Sequence, residues 1–293
     1  MTVRANDLRN DSPRGSVIPA GNLATGLLKL IALAFMLIDH SGKVLFSNCQ
    51  EMRILGRIAF PIYVWCMIVG FWRTRSVPKY LFRILLVGVI SQPLYALALD
   101  DNGHIGELIL QFTAPLASGF SWAGLWQVIS GLYTDPNSPN IFFTLFLGLA
   151  ALWGIREKKF LSFIWAPAVA ILLATVIKAD YGWRGIVFMI LLYSARGSRP
   201  GIAAVMVAYF LYWGTGYSVT SKLFGWSFRV ADLPPAVAQP LSALMRMETY
   251  ALMSLPFILC RFPRDVRLPK WLGYGVYPAH LLLLIILKLI VFR

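Results

Sequence analysis

From residue 24 onward the sequence is a succession of about nine apolar stretches joined by short polar segments. A spanning helix needs roughly 20 mainly apolar residues. Inside lipid, every backbone N–H and C=O must be satisfied within the protein, so such stretches read as helices. The borders fall at about 24–46, 54–72, 81–99, 140–155, 160–178, 186–195, 200–214, 241–260 and 271–292. The expected fold class is therefore all-α, a polytopic membrane helical bundle of about nine transmembrane helices. A soluble reading fails on composition: 58% of residues are hydrophobic, only 14% are charged, and the mean hydropathy is +0.67, beyond what a water-facing surface tolerates.

Residues 1–22 are polar and precede a first apolar segment about twice as long as a signal-peptide core. They read as a disordered cytoplasmic tail before an uncleaved first span. The rest, 23–293, reads as a single transmembrane domain, with 100–139 as an external or re-entrant insertion. Within that insertion, Gly106, Pro115, Gly119, Gly124 and Gly131 interrupt a moderately apolar stretch. The joint at about 215–240, with Pro234, Pro235 and Pro240, is the other long external loop. Cys49, Cys66 and Cys260 form neither a metal spacing nor an even disulfide framework.

A net charge of +14 raises the question of nucleic acid. The basic residues, however, cluster in joints between apolar stretches, where they report membrane orientation. One set of joints holds Arg4, Arg9 and Arg14; Arg73, Arg75, Lys79 and Arg83; Arg156, Lys158 and Lys159; Arg196 and Arg199; and Arg261, Arg264, Arg267 and Lys270, 16 of the 27 basic residues. The facing joint from Asp100 to Asn140 carries Asp100, Asp101, Glu107 and Asp135 with no Lys or Arg. The N-terminus is expected in the cytoplasm, with the bilayer and no nucleic acid as the macromolecular environment.

Polar groups inside apolar stretches are costly and each asks for a reason. Asp39 and His40 follow an unbroken apolar run from Leu30 to Ile38. Asp39 aligns with Lys43 at i+4, which suits a local ion pair. His40 suits either a helix-to-helix hydrogen bond or a general base or nucleophile, since imidazole titrates near neutral pH. Arg53 and Arg57 share one helix face and need an anion between them: Asp39, Glu51, or a substrate carboxylate or phosphate. Gln92, Tyr95, Asn140, Thr144, Asp180 and Tyr181 mark the third to fifth spans, and Tyr277 and His280 lie on one face of the last, around Pro278. Singly, each reads as packing glue. Jointly, with the orientation set by charge, they predict a polar cavity open to the outer side that contains a histidine. No metal site is expected, because of His40, His104 and His280 only His40 has a directly neighbouring carboxylate.

The stretches LKLIALAFMLIDHSG, LGRIAFPIYVW and YLFRILLVGVISQPLY, followed by NIFFTLFLGL, DYGWRGI and YGVYPAHLLLL, resemble the TraX family of bacterial conjugation proteins over about 28–288. The segments 101–139 and 215–240 are longer than that family's core needs. The resemblance implies a multi-pass inner-membrane protein of transmembrane-acyltransferase type. It would move an acetyl group from acetyl-CoA to the N-terminal amine of a pilin subunit in pilus biogenesis.

Under that reading the candidate catalytic residues are His40, Asp39, His280 and Tyr277. His40 would be the base, or His40 or His280 the nucleophile of an acetyl-imidazole route. Arg53, Arg57, Gln92, Asn140, Thr144, Asp180 and Tyr181 would bind substrate. The basic joint Arg73, Arg75, Lys79 and Arg83 would meet the phosphates of CoA. The competing readings are a non-catalytic pilin assembly factor, with the polar groups as helix glue, and a small-molecule transporter, which would need inverted repeats and paired broken helices. Neither of those features occurs in the sequence.

Overall fold

The computed structural model describes residues 2–4, 17–99, 110, 113–117, 119–134, 139–157, 159–227 and 229–291. Asp100, Asp101, His104, Glu107, Asp135, Arg9, Arg14 and Lys158 lie outside the described residues, as does most of the expected tail. The described chain is nearly all helical. Its helices are α1 (Thr25–Val44), α2 (Gln50–Gly56), α3 (Ala59–Arg73), α4 (Val77–Ala98), α5 (Trp122–Thr134), α6 (Ile141–Glu157), α7 (Phe160–Val176), α8 (Gly182–Ala195), α9 (Arg199–Gly214), α10 (Pro235–Leu244), α11 (Leu255–Leu259) and α12 (Lys270–Val291).

Among the described residues, three helices are long and apolar enough to cross a membrane: Gln50–Arg73, Val77–Ala98 and Gly273–Val291. The first joins α2 to α3 through a helical Arg57 and Ile58. The remaining expected spans coincide with helices that are shorter, or, in α1, interrupted by Lys29, Asp39 and Lys43. The expected span at 241–260 contains the shorter apolar helical stretch Met247–Leu259. It divides into the end of α10, a 3-10 run over Met247–Ser254 and the five-residue α11. Pro256 supplies no N–H for the ladder, and Arg246 and Glu248 bring charge into the segment.

The backbone groups into two compact units. The first comprises Met1–Gly42, Phe46–Val77 and Val187–Leu268. Its core is aromatic: Phe188 lies 5.8 Å from Phe60 and 4.9 Å from Phe210 between ring centroids, and Phe60 meets Trp213 edge-on. The segment before α1 is fastened to this unit. Gly21 and Asn22 are buried, the Trp65 indole N–H donates to the Asn22 carbonyl at 2.7 Å, and Asp265 Oδ1 accepts the N–H groups of Gly26 and Leu27 at 2.9 and 3.1 Å. Asp265 thus caps the first turn of α1 from a distant part of the chain, where a carboxylate suits the helix dipole. Two strands, β1 (Thr2–Arg4) and β4 (Arg264–Val266), pair antiparallel beside it, and β2 (Lys222–Leu223) and β3 (Trp226–Ser227) form a small hairpin turning at Phe224 and Gly225.

The second unit comprises Lys43–Leu45, Pro78–Ile186 and Pro269–Arg293. In it α6 and α7 form a tight antiparallel pair. Gly154 lets the backbones approach, since a Cβ there would overlap Ala166 and the Ser162 carbonyl. The segment expected to be re-entrant at 105–133 contains, within its described part, the 3-10 turn Ala114–Leu116 and α5.

Candidate functional site

The candidate residues gather in two clusters, one in each unit. In the first unit Asp39, on α1, receives Arg53 of α2 and Arg57 just past its end: Arg53 Nη1 donates to Asp39 Oδ2 at 2.7 Å and Arg57 Nη2 to Asp39 Oδ1 at 3.1 Å. Arg57 Nη1 also donates to Glu248 Oε1 at 3.0 Å. Two carboxylates and two guanidiniums therefore alternate, and the like-charge repulsion of an i,i+4 arginine pair is offset by the acids between and beside them. The local sequence allows the approach. A Cβ on Gly56 would collide with the Asp39 carboxylate, so the glycine of LGRIAFP makes room for the aspartate of LIDHSG while the next residue grips it.

Of the anions considered for the arginine pair, Asp39 is the one observed. Glu51 is engaged elsewhere, accepting from the Phe224 backbone N–H and facing Cys49 Sγ at 3.5 Å. His40 follows Asp39 on α1 and is half-buried. Glu248, 3% exposed, is the member that sequence reasoning missed. Its signal was present: it is the one acid between Leu233 and Arg264, inside a stretch read as a span, and an acid there needs a partner.

The second unit holds Gln92, Asn140, Thr144, Asp180, Tyr181, Tyr277 and His280. Asn140, fully buried, links two helices. Its backbone N–H and Nδ2 both donate to Gln92 Oε1, at 2.8 and 3.0 Å, and Nδ2 reaches the Gly88 carbonyl at 2.8 Å. Its Oδ1 accepts the Phe142 N–H at 3.0 Å and so caps the start of α6. A Cβ on Gly88 would sit 3.1 Å from Phe142 Cβ, so the glycine admits α6 at this point of α4. Thr144 Oγ1 donates to the Asp180 carbonyl, and the Asp180 N–H to the Pro139 carbonyl at 2.9 Å. Asp180 Oδ1 accepts the Tyr181 N–H at 3.0 Å, in a turn where Lys178, Tyr181 and Gly182 take positive φ. Thr144, Asp180 and Tyr181 thus shape the α7–α8 turn.

From Asn140 the contacts run on to α12. The Phe142 ring lies 4.7 Å from Tyr277 and edge-on, and Tyr277 lies 5.1 Å from His280, again edge-on. His280, 5% exposed, has Nδ1 3.1 Å from the Val276 carbonyl. Beside a carbonyl oxygen Nδ1 must carry the hydrogen, so a neutral ring has its lone pair on Nε2, the form required of a base or nucleophile.

The basic joint expected to meet CoA divides. Arg73 is committed to the chain, donating to the Leu23 carbonyl at 2.9 Å and to Thr25 Oγ1 at 3.3 Å. Arg75, Lys79 and Arg83 are exposed, and Lys79 and Arg83 share a face of α4 at i,i+4.

Comparison with known proteins accords with the motif pattern. Over 141 residues, 45% of this chain, the sequence is 29% identical to a protein of Dichelobacter nodosus described as a probable fimbrial assembly protein FimC, serogroup H1. Over 66 residues, 22% of this chain, it is 42% identical to an uncharacterized protein of Rickettsia prowazekii (strain Madrid E). The matches span 58% and 25% of those two relatives' lengths. No solved structure matches. The family model described as TraX protein matches residues 24–288, nearly the whole length, and the chain belongs to the TraX family.

Proposed function

We propose that this protein is a membrane-embedded acetyltransferase of pilus biogenesis. In this reading it crosses the inner membrane many times with its N-terminus in the cytoplasm, and it moves an acetyl group from acetyl-CoA to the N-terminal amine of a pilin subunit. Membership of the TraX family and the likeness to a fimbrial assembly protein support the pilus context. The observation that carries the chemistry is His280: a buried imidazole on an apolar helix, held through Nδ1 by the Val276 carbonyl so that Nε2 bears the lone pair.

Two routes use the histidines differently. In direct transfer, the amine attacks the thioester carbonyl carbon, the C–N bond forms as the C–S bond breaks, and His40 takes the amine proton. In the two-step route, His280 Nε2 attacks first, expelling the CoA thiolate and forming an acetyl-imidazole that the amine then opens. Asp39 serves the direct route by binding Arg53 and Arg57 beside His40. The exposed Lys79 and Arg83, on one face of α4, are residues suited to CoA phosphates.

The test is transfer of label from acetyl-CoA to a peptide copying a mature pilin N-terminus, with wild type, His40→Ala and His280→Ala side by side. Loss in His40→Ala alone supports direct transfer, and loss in His280→Ala of both transfer and a labelled protein intermediate that wild type forms supports the two-step route. If wild type transfers no label to any amine or hydroxyl offered, the acetyltransferase reading fails and a non-catalytic assembly role replaces it.

A further inference from the structure

Gln92 stands out among the buried polar groups of the second unit. It is 1% exposed, on an apolar helix long enough to span a membrane. Its Oε1 accepts twice from Asn140, and a backbone N–H can pair only with the amide oxygen, so the orientation of the amide is fixed. Nε2 therefore lies on the other limb of the fork, and among the described residues it has no hydrogen-bond partner. The adjacent Ser91 hydroxyl, fully buried, is in the same condition. An unmet donor is costly in a protein interior and more so where no water reaches. A sequence that needed only to join α4 to α6 would be better served by a side chain that accepts without leaving a donor over.

We infer that Gln92 Nε2 is a donor to the thioester carbonyl oxygen of the acetyl group, with Asn140 as the positioning residue that holds the amide. The inference rests on the acetyl-transfer reading and deepens it. When a nucleophile's lone pair adds to the carbonyl carbon, the C=O π pair moves onto oxygen, and a preorganised N–H aimed at that oxygen stabilises the charge. As the C–S bond breaks, the pair returns to re-form C=O and the thiolate departs, taking up a proton. Among the described residues the donor is spent on nothing else, so it is available where charge develops. Gln92 belongs to the same unit as His280, linked to it through Asn140, Phe142 and Tyr277.

The experiment compares wild type, Gln92→Leu and Gln92→Glu in detergent or nanodiscs, with two readouts. One is the rate of acetyl transfer. The other is the infrared carbonyl stretch of bound acetyl-CoA labelled with carbon-13 at the acetyl carbonyl. Gln92→Leu is expected to lower kcat on the order of 100-fold with little change in KM, and to move the bound carbonyl stretch up toward its value in water-free solvent. Gln92→Glu keeps an acceptor for Asn140 and supplies a donor only while protonated. Relative to wild type at each pH, its activity should therefore fall as pH rises. A residue that merely held Asn140 would change stability and leave the stretch where it was. Turnover in Gln92→Leu within threefold of wild type, or an identical stretch in the two, overturns the assignment. Wild type that binds and turns over no acetyl thioester removes the acetyl-transfer reading itself, and this inference with it.

Discussion

Arg57 and Glu248 meet at 3.0 Å across 191 positions of sequence, tying α2 to the 3-10 run before α11. Both side chains are largely buried, and Asp39 shares the same guanidinium. Removing one partner of a buried, hydrogen-bonded pair leaves charge without compensation and costs about 2–5 kcal/mol. Asp39 remains beside Arg57 in a Glu248→Ala variant, so its cost should lie at the low end of that range. Thermal unfolding of the purified protein measures it. The Arg57→Ala, Glu248→Ala double-mutant cycle should return a clearly favourable coupling energy, and additive single effects would rule the contact out as a stabilising one.

Gly56→Ala is expected to be more disruptive than a one-carbon change suggests. The added methyl would occupy the space of the Asp39 carboxylate, and overpacking of this kind costs about 1–3 kcal/mol. Either α1 and α2 separate or Asp39 abandons Arg57. Lower expression and a reduced melting temperature, with partial recovery in the Gly56→Ala, Asp39→Ala double variant, is the predicted pattern.

The sequence made the helical, membrane-type character legible because the apolar stretches are long and their joints carry the charge. It also demanded an anion for the i,i+4 arginine pair and offered Asp39, Glu51 or a substrate anion, of which Asp39 is the one in contact. What it did not disclose was the third dimension. The i+4 spacing looked only along α1, to Lys43, and the contacts between helices bring Arg53 and Arg57 to Asp39 as well. Glu248 is a single acid among apolar residues, so the hydropathy of its segment does not set it apart. The division of 241–260 into a 3-10 run and a short helix was hidden for the same reason: hydropathy reports the solvent of a segment and says nothing of its backbone period.

Asn140→Leu should uncouple α4 from α6. It deprives Gln92 Oε1 and the Gly88 carbonyl of the Nδ2 donor and removes the cap from the Phe142 N–H. Loss of a cap alone costs roughly 1 kcal/mol, and buried groups left unpaired cost about 1–3 kcal/mol more. Asn140→Asp retains the cap and loses the donor, so its melting temperature should fall between wild type and Asn140→Leu. Equal stability of the two variants would show that the cap contributes nothing.

Orientation in the membrane yields a labelling prediction. Arg199 Nε and Arg261 Nη2 donate to the same Ala20 carbonyl, at 3.2 and 3.1 Å, and Arg73 donates to the nearby Leu23 carbonyl. Three joints grouped by charge counting are thus gathered on one short segment. Arg73 ends the continuous helix Gln50–Arg73, whose other end is fixed to the hairpin by Glu51 and the Phe224 N–H. The 24 helical residues rise about 36 Å, slightly more than the hydrocarbon thickness of a bilayer, so the basic joints and the hairpin stand at opposite ends of a helix long enough to span. With Cys49, Cys66 and Cys260 replaced by serine, a cysteine at Ser198 should resist an impermeant maleimide in intact cells and react only after lysis. A cysteine at Ser227 should react in intact cells. The reverse pattern would invert the topology and place the Asp39–Arg57 network on the cytoplasmic side, away from a pilin N-terminus beyond the membrane.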